Sequence, residues 1–96
     1  MTRNEILATL RSFQDQIARD YLARIDGIFG SYARGEERQD SDLDVLATFD
    51  DGANLLHLVG LARFLEDTFH CKVDVVSRGA LRREIEPHVM KDLVAP

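Results

Sequence analysis

Cysteine is almost absent from this chain of 96 residues. The single one, Cys71, excludes an internal disulfide and cannot by itself build a thiolate zinc site, so it reads as a small apolar residue at a strand entrance. Long apolar runs are missing too, and no stretch approaches the ~20 residues that a membrane span requires. Asn4 and Glu5 interrupt the N-terminus where a secretory signal would need unbroken apolar sequence, so a soluble, cytoplasmic protein is expected. Basic residues are in deficit, 12 against 17 acidic ones for a net charge of −5. That balance argues against a general nucleic-acid binder, which needs a basic surface to displace counterions from phosphates. His57, His70 and His88 lack ligand spacing to one another or to Cys71. No Ser-His-Asp, Cys-His or Walker-type lysine arrangement occurs, and there is no linker, repeat or low-complexity segment. What remains is ordinary globular composition, 45% hydrophobic, in a single α/β unit.

The pattern of apolar residues lays out that unit. Thr2 with Glu5 is a capping-box pair, and Ile6, Leu10, Phe13, Ile17 and Tyr21 then form one helical stripe. Residues 25–29 read as a buried strand ended by Gly30. A second strand spans 43–49 and ends at Asp50-Asp51-Gly52. Asn54 caps a second long helix with apolar positions Leu55, Leu58, Leu61, Ala62, Leu65 and Phe69. Residues 72–76 form a third strand, Ser77 is placed to cap a short helix through Leu81 and Ile85, and Pro87 restarts the chain as a helical turn.

Connection lengths set the topology. About a dozen residues between strands one and two are too few for a crossover helix, so those strands should be antiparallel. A whole helix separates strands two and three, which implies a right-handed crossover and a parallel pair. The end of strand one and the starts of strands two and three then share one sheet edge, and Ser31, Asp42, Asp44 and Asp74 all map to it.

Chemistry concentrates at that edge. Asp42 and Asp44 are two apart and project from the same strand face, where their repulsion would raise a pKa unless a cation lay between them. Mg²⁺ suits such a pair, since it takes one or two carboxylates together with substrate phosphates. The plain alternative is a turn followed by a solvated edge residue. Gly30 permits a tight bend, and Ser31 offers a hydroxyl and an N–H at the start of a helical turn, a setting that favours anions. Gly35 has the character of a left-handed, helix-ending position. Arg34 is either a charge for a triphosphate or a solvated side chain. Asp74 interrupts the apolar run Val73, Val75, Val76. It is either a third metal ligand placed to help deprotonate a hydroxyl or the partner of an arginine, because a buried lone charge is costly.

Gly30-Ser31-Tyr32-Ala33-Arg34-Gly35 followed by Ser41-Asp42-Leu43-Asp44 resembles the Gly-Ser-x-x-x-Gly and Ser-Asp-x-Asp pattern of the DNA polymerase β-like nucleotidyltransferases. Within that superfamily the chain looks most like the minimal nucleotidyltransferases (MNT), with the resemblance running through length, helix-first order and Asp74. It implies residues 1–96 as a single minimal nucleotidyltransferase domain: an α/β fold with a three-stranded mixed sheet flanked by about four helices. It implies transfer of AMP from ATP to a hydroxyl with release of pyrophosphate. Asp42 and Asp44 would hold two Mg²⁺ ions, Asp74 would ligate the one that activates the acceptor, and Gly30 and Ser31, with Arg34 beside them, would bind the nucleotide. With no second domain expected after Pro96, the site should be open and a partner protein could complete it. MNT proteins similar to this one act in prokaryotic cells as antitoxins of HEPN-domain RNase toxins. The resemblance therefore implies adenylylation of a toxin tyrosine within a hetero-oligomer. Two other readings stay in view: a non-catalytic antitoxin that neutralises by binding, and a transferase for a small hydroxylated molecule such as an aminoglycoside.

Overall fold

The capping box at the N-terminus forms as expected: the Thr2 hydroxyl accepts from the Glu5 N–H at 3.2 Å, and the Glu5 carboxylate accepts from the Thr2 N–H at 2.9 Å. It starts α1, Arg3–Tyr21, in a computed structural model that describes residues 1–96. β1 (Ala23–Phe29), α2 (Gly30–Arg34), β2 (Leu43–Phe49), α3 (Leu55–Phe69), β3 (Val73–Ser77) and α4 (Glu86–Asp92) follow, with one 3-10 turn at Arg78–Ala80. The sheet has the order β1-β2-β3, with β1 antiparallel and β3 parallel to β2, as the connection lengths required. No helix is long and apolar enough to cross a membrane.

Two boundaries and one element differ from expectation. β1 starts at Ala23, because Leu22 takes a left-handed conformation (φ 52°) that ends α1 without a glycine. β3 is displaced by one residue, since His70 does the same at the end of α3 (φ 55°) and the chain needs two more residues to reach the sheet. The short helix expected after Ser77 is only the 3-10 turn, with no side-chain cap and Leu81 already extended. Gly79 in its middle is a poor helix former.

Alternation along β2 divides the structure into two faces. Leu43, Val45 and Ala47 join Ile25 and Ile28 of β1 and Val73 of β3 under Ile6, Leu10, Ile17, Leu61, Leu65 and Phe69 of α1 and α3. Phe13 meets Phe64 edge-on, ring centroids 5.2 Å apart, and Tyr21 lies 5.6 Å from Phe64. Gln14 ties the helix layer to the sheet: its amide donates to the Ile25 carbonyl at 2.8 Å and accepts from the Ile25 N–H at 3.0 Å. The strand register shifts at this point, between Ile25 and Gly27. The start of the α3 stripe is not core, for Leu55 is 70% exposed and Leu56 79%. Leu55 and Leu58 instead border an open cavity of about 320 Å³ with Phe49, Ala53, Asn54 and Ser77.

On the opposite face, Asp26 at the bulge has a side chain only 7% exposed, held by Arg24 at 3.3 Å and Arg78 at 3.9 Å. The Thr48 hydroxyl donates to its second oxygen. Leu46 is fully buried on this face, and α4, which packs on β1 and α2, contributes the buried Val89. The C-terminal segment then pairs with the free edge of β1: Ile28 N–H donates to the Val94 carbonyl at 3.0 Å, and Val94 N–H to the Ile28 carbonyl at 2.9 Å. Gly27 permits that approach, because a Cβ there would collide with the Val94 carbonyl oxygen. Gly27→Ala should therefore loosen the C-terminal segment and cost roughly 1–3 kcal/mol of stability, measured by urea unfolding.

Candidate active site

The register of the sheet assembles the site. Phe29, the last residue of β1, stands opposite Asp44 of β2, and Asp44 stands opposite Asp74 of β3. Gly30 and Ser31 follow Phe29 directly and open α2, while Asp42 immediately precedes β2. The turn before Asp42 is closed by Ser41, whose hydroxyl accepts from the Arg38 N–H at 2.7 Å and whose own N–H donates to the Arg38 carbonyl at 3.0 Å. Gly30, Ser31, Asp42, Asp44 and Asp74 thus gather at one end of the sheet, as the topology required.

Gly30 has φ +73°, and a Cβ on it would collide with the Asp44 carboxylate. Only glycine satisfies both the left-handed backbone and the close approach of that carboxylate. Gly35, also at φ +73°, ends α2, and the Glu36 N–H donates to the Ser31 carbonyl at 2.9 Å to close the turn. Burial pushes the Tyr32 phenol and the Cys71 thiol, which lies at the entrance of β3, above their ordinary pKa values, and both side chains pack against the main core. Cys71 is half-buried there, and the Arg3 guanidinium holds the far end of α2 by donating to the Ala33 carbonyl at 3.0 Å.

Burial falls on a different aspartate from the one expected. Asp74 is exposed, since at this end of β3 only Val73 is covered, and it pairs with no arginine. Asp44 is the half-buried member, and Asp42 is exposed. Burial first, and then the negative fields of Asp74 and Asp42, push the Asp44 carboxyl from 3.8 up to about 6, with Arg34 opposing. The interaction shows that the three carboxylates feel one another.

Arg34 is already engaged. Its Nη1 donates to Asp92 at 2.6 Å and its Nε to Glu36 at 3.1 Å, contacts that hold the guanidinium even more firmly protonated. Asp92 lies 58 residues away in sequence, and no spacing rule could have joined it to Arg34. Neither the 320 Å³ cavity nor the second, of about 390 Å³ beside Thr2, Arg3, Asn4, Gly35 and Glu37, is lined by the aspartates. The carboxylate edge is an open surface.

No group of three or more His, Cys, Asp or Glu side chains closes into a ready-made metal cage. The donor chemistry nonetheless fits a hard divalent cation, because three carboxylates lie at one edge and the most buried of them, Asp44, resists ionisation through burial and the negative charge of its neighbours. A cation held there would draw its remaining ligands from water and substrate oxygens, an arrangement usual for Mg²⁺.

A stability consequence follows from the sign at Asp44. Its folded pKa lies above the unfolded value, so its stabilising contribution is complete below about pH 4 and is lost as pH rises through about 6. Asp44→Asn should therefore raise the melting temperature of the metal-free protein at pH 7.5 and lose that advantage near pH 4, as followed by thermal unfolding in EDTA.

A glycine-serine turn beside clustered carboxylates on a mixed sheet defines a class of enzyme that handles phosphate esters, and comparison with known proteins identifies which. The nucleotidyltransferase domain model matches residues 10–95. The protein adenylyltransferase MntA of Thermococcus cleftensis is 33% identical over 94 residues, covering 98% of this chain and 95% of that protein. A solved structure provisionally described as a minimal nucleotidyltransferase superposes with a TM-score of 0.85 at 33% identity, covering 100% of this chain and 97% of the other. A crystal structure of a toxin–antitoxin with AMP-PNP shares the fold at a TM-score of 0.66 and 23% identity, covering 80% of this chain and 64% of that one. The chain belongs to the nucleotidyltransferase domain family, and its activity is that of a nucleotidyltransferase.

Proposed function

We propose that this enzyme transfers AMP from ATP to a protein hydroxyl and acts as the antitoxin of a HEPN-type RNase toxin. The observation that carries the reading is the Phe29–Asp44–Asp74 register, which sets the Gly30-Ser31 turn and three carboxylates at one open sheet end. The similarity to a named protein adenylyltransferase across nearly the whole chain supports a protein acceptor. The toxin–antitoxin crystal structure shares the fold and is compatible with a toxin as that acceptor. The identity of the toxin as HEPN rests on the resemblance to MNT antitoxins.

In this reading Gly30 and Ser31 bind the outer phosphates and Arg34 lends charge to them. Asp42 and Asp44 would hold two Mg²⁺ ions with Asp74 contributing to one, and the ions supply charge neutralisation at the attacking and leaving oxygens. The acceptor oxygen attacks the α-phosphorus, the bond to the bridging oxygen of the β-phosphate breaks, and pyrophosphate leaves. Asp74, exposed and adjacent to Asp44, takes the proton of the attacking hydroxyl at its carboxylate. The open edge admits a side chain presented by another folded protein, whereas nothing in the fold walls off a pocket for a small acceptor at the aspartates.

Asp42→Asn and Asp44→Asn should each reduce transfer of label from α-³²P-ATP to a HEPN-type partner by at least ~100-fold, the scale of losing one electrostatic stabiliser of a transition state. Full transfer by both variants would overturn the reading. Protection from the toxin by the folded double variant, with no mass added to the toxin, would establish neutralisation by binding alone. Label transfer to an aminoglycoside without any partner would assign the small-molecule reaction.

A further inference from the structure

The C-terminal helix reaches the site through one ion pair. Arg34 closes α2, the short helix that begins with Gly30 and Ser31, and its Nη1 donates to Asp92, the last residue of α4, at 2.6 Å. The Asp92 side chain is only 22% exposed, whereas that of Glu36, the other partner of Arg34, is 66% exposed. A sheltered charge-assisted bond orders an arginine; an exposed one is screened and contributes little.

Asp92 is itself held in place. Val89 is buried one turn earlier, and two residues later Val94 exchanges both backbone hydrogen bonds with Ile28, over the space left by Gly27. Arg34 is thus clamped between the phosphate-binding turn and a docked C-terminal segment. Its charge still reaches the carboxylate edge, where it opposes the upward shift at Asp44. A guanidinium carries five N–H donors, of which Asp92 and Glu36 each engage one. A free arginine loses considerable rotamer freedom when it binds a phosphate, and a pre-ordered one loses less.

We propose that Asp92 is a positioning residue for the nucleotide: by holding Nη1 of Arg34 it orders the guanidinium at the rim of the site, with its other N–H donors left for triphosphate oxygens. This makes the segment from Val89 to Val94 part of the nucleotide site through its hold on Arg34. The proposal rests on Arg34 being a nucleotide-binding residue.

The test measures ATP affinity by calorimetry with Mg²⁺ present, on the full chain and on Arg34→Ala, Asp92→Ala, Asp92→Asn and the Arg34→Ala/Asp92→Ala pair. Melting temperatures are followed in parallel. Asp92→Ala should weaken ATP binding about tenfold, the worth of one charged hydrogen bond. Asp92→Asn, which keeps an acceptor for Nη1, should recover most of that loss. In the Arg34→Ala background, Asp92→Ala should change nothing further, an outcome that a merely structural role would not produce. Should Asp92→Ala fail to fold, Asp92→Ser carries the same expectation. Unchanged or tighter ATP binding by Asp92→Ala would overturn the proposal, the tighter case showing that Asp92 competes with phosphate. Additive losses in the double variant would also overturn it. If Arg34→Ala weakens binding and Asp92→Ala does not, the nucleotide reading of Arg34 stands and the proposal alone fails. If Arg34→Ala has no effect, or the unaltered chain binds no ATP, the reading beneath it fails as well.

Discussion

Three like charges held at one end of a small sheet are the constraint on which the rest of this structure turns. Asp44 faces Asp74 across a parallel ladder, with Asp42 two residues behind it on the same face. Left to itself the group would relax by moving apart or by taking up protons, and at Asp44, where burial acts first and the two neighbouring carboxylates add to it, the pKa is pushed up to about 6. The ladder prevents the first. Backbone hydrogen bonds along β2 and β3 fix the strand positions, and a core of branched and aromatic side chains on the opposite face keeps the strands paired. Stability is drawn from one face of the sheet and used on the other.

That division explains the helix layout. α1 and α3 cover the same face, where Leu43, Val45 and Ala47 meet them. The other face is covered in part by α4, with Leu46 and Val89, and by the 3-10 turn, whose Arg78 reaches Asp26, and the aspartate end is left open. Asp26 shows what the same face does with an acid that is structural: it is almost wholly buried and satisfied by Thr48 and two arginines. Asp42, Asp44 and Asp74 have no such partners. The fold thus neutralises one acid and leaves three others on the same surface without an arginine, the setting that the proposed metal site requires.

Glycine and the C-terminal segment adjust the site at short range. Gly30 brings the turn against the Asp44 carboxylate, the proximity that the proposed function needs if one triphosphate is to meet both. Gly27 admits the Val94 carbonyl and thereby seats α4, whose end holds Arg34. Both glycines lie in or next to β1, and both are required because another backbone or a carboxylate occupies the space a side chain would fill. The openness that remains suits a family whose named members include a protein adenylyltransferase.

Much of this was legible in the residues alone. Apolar spacing and capping pairs are local properties, so α1, α3 and the whole of β2 follow from them, and connection lengths are enough to orient the three strands. The motif positions Gly30, Ser31, Asp42, Asp44 and Asp74 then fall at one edge because strand polarity requires it. The apolar stripes stop at Tyr21 and Phe69, where the helices end, but the left-handed caps at Leu22 and His70 were not legible, since that conformation is uncommon outside glycine. Nor was the burial of Asp44 in preference to Asp74, or the exposure of Leu55, because burial depends on what lies above a residue and not on its neighbours in the chain. The pairing of Arg34 with Asp92 spans most of the sequence and has no period or spacing to announce it. Local chemistry determined which groups this protein brings to its site; tertiary packing decided which of them is desolvated, which is already paired, and which is left free to act.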